Sequence, residues 1–163
     1  MAEDLNYRKL KKIFLHSLIL IFLFSSSVFS QNYKLQKIVD LESPWGSTFV
    51  NNNELLVTER HGKIKLINLK SKRIKTIGHN LKFLVDGQGG LLDIIFKNNN
   101  IWISYSEDRG SFKTSTSIAK GKFNKKKIYF KNIFQANPPI DSGYHFGSRL
   151  AIKDDYIFAS VGE

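Results

Sequence analysis

The stretch Gly46-Ser47-Thr48-Phe49-Val50-Asn51-Asn52-Asn53-Glu54-Leu55-Leu56-Val57-Thr58-Glu59 carries the fold. Two β-rich runs flank a triplet of asparagines, the pattern of a hairpin whose turn tolerates left-handed backbone. The same order recurs from Gly90 through Leu91-Leu92-Asp93-Ile94-Ile95-Phe96, which turns at Asn98-Asn99-Asn100 and closes its second strand at Glu107. A third copy begins at Gly147, turns at Asp154-Asp155 and reaches Glu163. The glycines are 44 and 57 residues apart, close to the ~40–50 residues of one propeller blade.

Further strand-like stretches follow each of the first two hairpins: Gly62 to Asn68 with Arg73 to Ile77, then Ser115 to Phe123 with Lys127 to Lys131. They are predicted to be the outer two strands of four-stranded blades. The expectation is an all-β chain holding about two and a half blades of a β-propeller, with residues 31–163 as the propeller part, cut short at its C-terminus. Val161-Gly162-Glu163 ends directly on an apolar run, which reads as a truncated reading frame.

Residues 1–30 have a different character. Arg8, Lys9, Lys11 and Lys12 precede the apolar run Ile13 to Phe24, and Ser25-Ser26-Ser27-Val28-Phe29-Ser30 follows. That order is a secretory signal peptide with cleavage after Ser30, and the run is too short to span a bilayer. The alternative is an uncleaved N-terminal anchor. Export, most simply to the periplasm with no stable membrane insertion after cleavage, is the expected localisation.

Taking away residues 1–30 removes four of the 25 basic and two of the 14 acidic residues, leaving 21 against 12. The lysines alternate with apolar residues, as in Lys63-Ile64-Lys65-Leu66, so they read as solvated strand faces rather than a nucleic-acid patch. The chain has no cysteine, which excludes disulfides, thiolate metal sites and a Cys nucleophile.

In the propeller register, the residues just before each repeat glycine share one rim: Pro44-Trp45, Gln88-Gly89 and His145-Phe146. The second strand of each hairpin runs back antiparallel, so Glu59, Glu107 and Glu163 are expected at the same rim. His145 is the candidate proton acceptor there. Gln88, in a loop whose glycines permit close backbone approach, is the candidate hydrogen-bonding partner of a ligand. His61 and His79 lie in turns and read as structural, Asp154-Asp155 as a hairpin turn, and Trp45 and Trp102 as packing between blades. No histidine pairs at metal-ligand spacing, and no phosphate loop or nucleophile elbow is present.

Four segments together resemble the soluble, pyrroloquinoline-quinone-dependent glucose and sorbosone dehydrogenases, or aldose sugar dehydrogenases. They are Leu41-Glu42-Ser43-Pro44-Trp45-Gly46 with Leu55-Leu56-Val57-Thr58-Glu59-Arg60; Asp86-Gly87-Gln88-Gly89-Gly90-Leu91-Leu92-Asp93; Tyr105-Ser106-Glu107; and His145-Phe146-Gly147-Ser148-Arg149-Leu150 with Val161-Gly162-Glu163. The resemblance implies a six-bladed propeller that oxidises the anomeric C1 hydroxyl of aldose sugars by hydride transfer to pyrroloquinoline quinone (PQQ), with calcium polarising the quinone. It makes His145 the general base, Glu163 the residue that orients His145, and Gln88 the residue that binds the sugar. Quinone and calcium ligands are expected in later blades, with no metal ligand in this stretch, and the electron acceptor is unidentified. Tyr144 stands where some members have an aspartate that binds the sugar. The alternative reading is an exported, non-catalytic propeller module that binds carbohydrate or protein.

Overall fold

The computed structural model describes Lys11, Phe14, His16 and residues 33–162. The signal-peptide reading of residues 1–30 and the site residue Glu163 therefore lie outside the described residues, apart from Lys11, Phe14 and His16, which are helical. Among the described residues no helix is long and apolar enough to cross a membrane. The chain divides into a unit up to Lys37 and a unit from Ile38 onward. Every strand among the described residues belongs to the second unit.

Strands β1 (Pro44–Asn51), β2 (Glu54–Glu59), β3 (Lys63–Asn68) and β4 (Ile74–His79) pair antiparallel in chain order and form the first blade. Strands β5 (Leu91–Lys97), β6 (Asn100–Asp108) and β7 (Thr114–Lys122) begin the second. After β8 (Lys127–Ile128), β9 (Phe130–Gln135) completes it, and β10 (Leu150–Lys153) with β11 (Tyr156–Ala159) makes a third hairpin. Each expected hairpin is present in the expected register: Phe49 faces Leu55, Lys97 faces Asn100, and Lys153 faces Tyr156. Asn98 and Asn99 adopt φ of 49° and 60°, the left-handed pair that a two-residue hairpin loop requires.

Two details depart from the sequence reading. Lys127 to Lys131 is not one outer strand. Lys127–Ile128 runs parallel to β4 of the first blade, and the chain crosses at Tyr129 so that β9 takes the fourth place in the second. Ile128 is fully buried in the shared core while Tyr129 is exposed, so this two-residue strand ties the outer edges of the two blades together. The last strand also ends at Ala159 rather than Val161.

The core lies between the blades. Pairing puts Thr58, Ile64 and Ile77 on one face of the first blade and Ile94, Ile103 and Ala119 on one face of the second. The isoleucines and the alanine of both rows belong to a single buried cluster. Full burial of each isoleucine contributes roughly 1.5–3 kcal/mol, which is how a chain without cysteines holds two blades face to face.

Hydroxyls on the second strands fix the glycine ends. Gly46 N–H donates to Thr58 Oγ1 at 2.9 Å and Gly90 N–H to Ser106 Oγ at 2.6 Å, the same bond in successive blades. Thr58 Oγ1 in turn reaches the carbonyl of Leu92 at 2.5 Å, joining blade to blade.

Candidate functional site

The loop before β5 and the loop before β10 meet at one rim. Gly87 has φ of +49°, and a Cβ on it would collide with the carbonyl oxygen of Gly143, so only glycine allows the approach. There Gln88 N–H donates to Gly143 O at 2.7 Å, and His145 N–H donates back to Gln88 Oε1 at 3.4 Å. His145 and Gln88, 57 positions apart in sequence, are thus brought together as expected.

The His145 loop is held in an unusual conformation. His145 and Ser148 have φ of 65° and 70°, with Gly147 at 59° between them. A left-handed non-glycine residue costs about 1–3 kcal/mol and persists only where its surroundings enforce it. The enforcement is visible on both sides. Thr116 Oγ1 donates to Phe146 O at 2.7 Å and Ser104 Oγ to Ser148 O at 2.6 Å, both from the second blade. After the third hairpin, Gly162 packs so close that a Cβ on it would overlap His145 O. The result is a rigid backbone carrying an exposed imidazole, whose ring makes no hydrogen bond among the described residues.

The acidic residues behave differently. Glu107 does not join the rim: it accepts from Ser117 Oγ (2.6 Å), Asn132 Nδ2 (2.8 Å) and Gln135 Nε2 (2.6 Å), facing the outer strands of its own blade. Glu59 is 2% exposed, accepts from Glu42 N–H, and lies 3.7 Å from Lys65 Nζ. The strand alternation that brings each backbone to the rim turns each carboxylate back into its blade. His79 closes β4 rather than lying in a turn, and it is structural, as expected: Nδ1 accepts from Leu81 N–H, which leaves Nε2 to donate to Gly62 O. Trp102 is half-buried, lines a groove of about 260 Å³ with Ile152, Tyr156 and Ile157 of the third hairpin, and lies under Lys120. Trp45, expected to pack between blades, is 52% exposed.

The Glu107 network includes a titratable partner. Tyr105 donates to Asn132 Oδ1 at 2.5 Å. Burial first, and then the Glu107 carboxylate, push its pKa up from 10.0 to about 12. A group whose pKa is raised on folding contributes stability that is complete below the unfolded value and lost as pH rises through the folded one. Unfolding free energy is therefore expected to fall between pH 10 and 12, by at most about 3 kcal/mol for two pK units. Urea titrations of wild type and Tyr105→Phe across that window check this: a variant that declines in parallel with wild type refutes the assignment.

Sequence patterning singles out neither of two positioning residues. Asp93, 5% exposed, accepts from Leu150 N–H (2.8 Å) and Ile94 N–H (2.9 Å) and so anchors the third hairpin. Its available signal is an acid inside the apolar run Leu91-Leu92-Asp93-Ile94-Ile95, a place where a carboxylate needs partners. Arg60, beside Glu59, extends its guanidinium from the first blade to the Gln88 loop. Among the described residues no group of three or more His, Asp or Glu converges to hold a metal ion.

A family model described as glucose/sorbosone dehydrogenase matches residues 41–163. The aldose sugar dehydrogenase YliI of Escherichia coli K12 is 29% identical over 133 residues, covering 76% of this chain and 36% of that protein. The solved structure of the soluble aldose sugar dehydrogenase of E. coli, in its apo form, aligns with a TM-score of 0.70 and 30% identity over 76% of this chain and 38% of that one. The PQQ-bound aldose sugar dehydrogenase of Streptomyces coelicolor shares the fold at a TM-score of 0.66 and 22% identity, over 76% of this chain and 39% of that one. This chain thus spans well under half the length of each relative, and its blades are those of a six-bladed propeller.

Proposed function

Because this chain belongs to the glucose/sorbosone dehydrogenase family, we propose that it carries the proton-accepting rim of an exported quinoprotein that oxidises the anomeric C1 hydroxyl of aldose sugars. The observation that carries the reading is the bond from His145 N–H to Gln88 Oε1, which sets the backbone of an exposed histidine beside a side-chain amide on one rim. His145 takes the proton from the C1 hydroxyl as C1 becomes the carbonyl carbon of a lactone. Gln88 holds the sugar beside it through the Nε2 donors left over from its backbone contact. Glu163 follows Gly162, which packs against His145 O, and in this reading it orients the imidazole. PQQ, when bound, supplies the acceptor for the hydride that leaves C1.

The described residues offer the sugar side of such a site. Calcium and the groups that hold the quinone are assigned to residues beyond them. Residues 1–30 act as the signal peptide that delivers the protein to the periplasm, and an electron acceptor there reoxidises it.

The test is reconstitution of the complete gene product with PQQ and calcium, an artificial electron acceptor and a panel of aldoses. Sugar-dependent dye reduction that disappears when PQQ is omitted is the expected result. Sugar binding without dye reduction under any reconstitution overturns it in favour of a binding module.

A further inference from the structure

We infer that Arg60, at the end of β2, is a positioning residue for Gln88, so that the first blade sets the geometry of a sugar contact made by the second. This rests on the reading of Gln88 as the residue that binds the sugar.

Asp86 to Gly90 has little to fix it from within: three of its five residues are glycines, and its internal bond is Gly89 N–H to Asp86 O. Gln88 N–H is bound to Gly143 O and Gly90 is bound at both its N–H and its carbonyl to Ser106; the carbonyls of Gly87 and Gly89 are held by one guanidinium nitrogen. Arg60 Nη1 donates to Gly87 O at 2.5 Å and Gly89 O at 3.3 Å, the carbonyls on either side of Gln88. Clamping both removes the rotation of the intervening residue that would swing the Gln88 amide away from His145.

Arg60 is itself fixed. Its N–H donates to Ser43 O at 2.9 Å and its carbonyl accepts from Leu91 N–H at 3.0 Å. Nη2 lies 3.1 Å from His61 Nε2, which sets the plane of the guanidinium. Gly90, with φ of +137°, comes so close that a Cβ on it would overlap Arg60 O, which locks the clamp to the loop it serves. Arg60 forms no ion pair with a carboxylate among the described residues. Its role there is to donate to backbone carbonyls, the use for which a planar, fixed-charge donor is suited.

The experiment is a double-mutant cycle in the complete gene product, with Arg60→Met, Gln88→Ala and the double variant, and Arg60→Lys as the conservative rescue. Arg60→Met is expected to lower kcat/KM for an aldose about tenfold in the wild-type background and less than about twofold once Gln88 is alanine. Arg60→Lys is expected to recover most of the loss. Amide exchange read by mass spectrometry is expected to quicken about tenfold at Gln88 and Gly89 in Arg60→Met, with the amides of Val57 to Glu59 unchanged. Additive effects on kcat/KM, or exchange that quickens throughout the first blade, overturn the inference. If wild type oxidises no aldose, the functional reading fails by itself. The exchange comparison then still decides the clamp, and an unchanged rate at Gln88 rejects it.

Discussion

Replacing His145 with alanine is expected to lower kcat for aldose oxidation by roughly 10²–10⁴-fold, the usual contribution of a positioned general base. The loss belongs in kcat because the imidazole accepts its proton only as C1 is oxidised, whereas the sugar is gripped elsewhere. What makes the test clean is how little the ring supports among the described residues. It is exposed and makes no hydrogen bond among the described residues, while the loop is held through backbone groups of Phe146, Ser148 and Leu150. The one structural liability is the left-handed backbone at position 145, with φ of 65°. Asparagine tolerates that conformation better than alanine does, so His145→Asn serves as a second variant that keeps the loop shape and still lacks the base. Both are to be assayed by dye reduction with PQQ supplied, alongside thermal unfolding. Activity within a few-fold of wild type in either variant, at unchanged stability, removes His145 from the chemistry.

Much of this is legible in the chain. The three hairpins are readable because asparagine and aspartate mark their turns, left-handed at Asn98, Asn99 and Asp154, and the glycine at or before the start of each marks a close backbone approach that recurs once per blade. The meeting of Gln88 with His145 follows from the same register. What cannot be read is the direction of side chains governed by partners distant in sequence. Strand register carries the Glu107 backbone to the rim, but Ser117, Asn132 and Gln135 gather its carboxylate on the blade's outer side. The strand Lys127–Ile128 changes sheets before Phe130 because Gly78 and His79 of the first blade offer an open edge. No alternation within Lys127 to Lys131 reveals which neighbour pairs with which half. Arg60 is hidden for the same reason: its partners are carbonyls of glycines, and backbone groups leave no mark in a sequence.

The largest expected effect on stability comes from Asp93→Ala. A register shift between Leu91 and Ile94 takes Asp93 out of the regular pairing of β5 with β6; its N–H donates instead to Ser104 Oγ at 3.0 Å. Such irregularities re-aim a side chain, and here the carboxylate points across to the third hairpin. Alanine leaves the buried Leu150 N–H and the Ile94 N–H without acceptors, at about 1–3 kcal/mol each, so a total of about 2–6 kcal/mol is expected. Arg149 adds little: it lies 3.4 Å from Asp93 Oδ2, but its side chain is 79% exposed, and solvated pairs contribute about 0–1 kcal/mol. Asp93→Asn keeps one acceptor and turns an amide hydrogen toward one of the two donors, so it should cost about half as much. A urea titration reads both as a lower midpoint at unchanged slope, and exchange at the Leu150 amide reports the same opening locally. An Asp93→Ala protein within about 1 kcal/mol of wild type means the hairpin is held by its hydroxyl contacts alone. The site depends on the outcome, because Leu150 is joined to His145 by five peptide bonds. If the anchor slips, His145 leaves Gln88 even though neither residue has been changed.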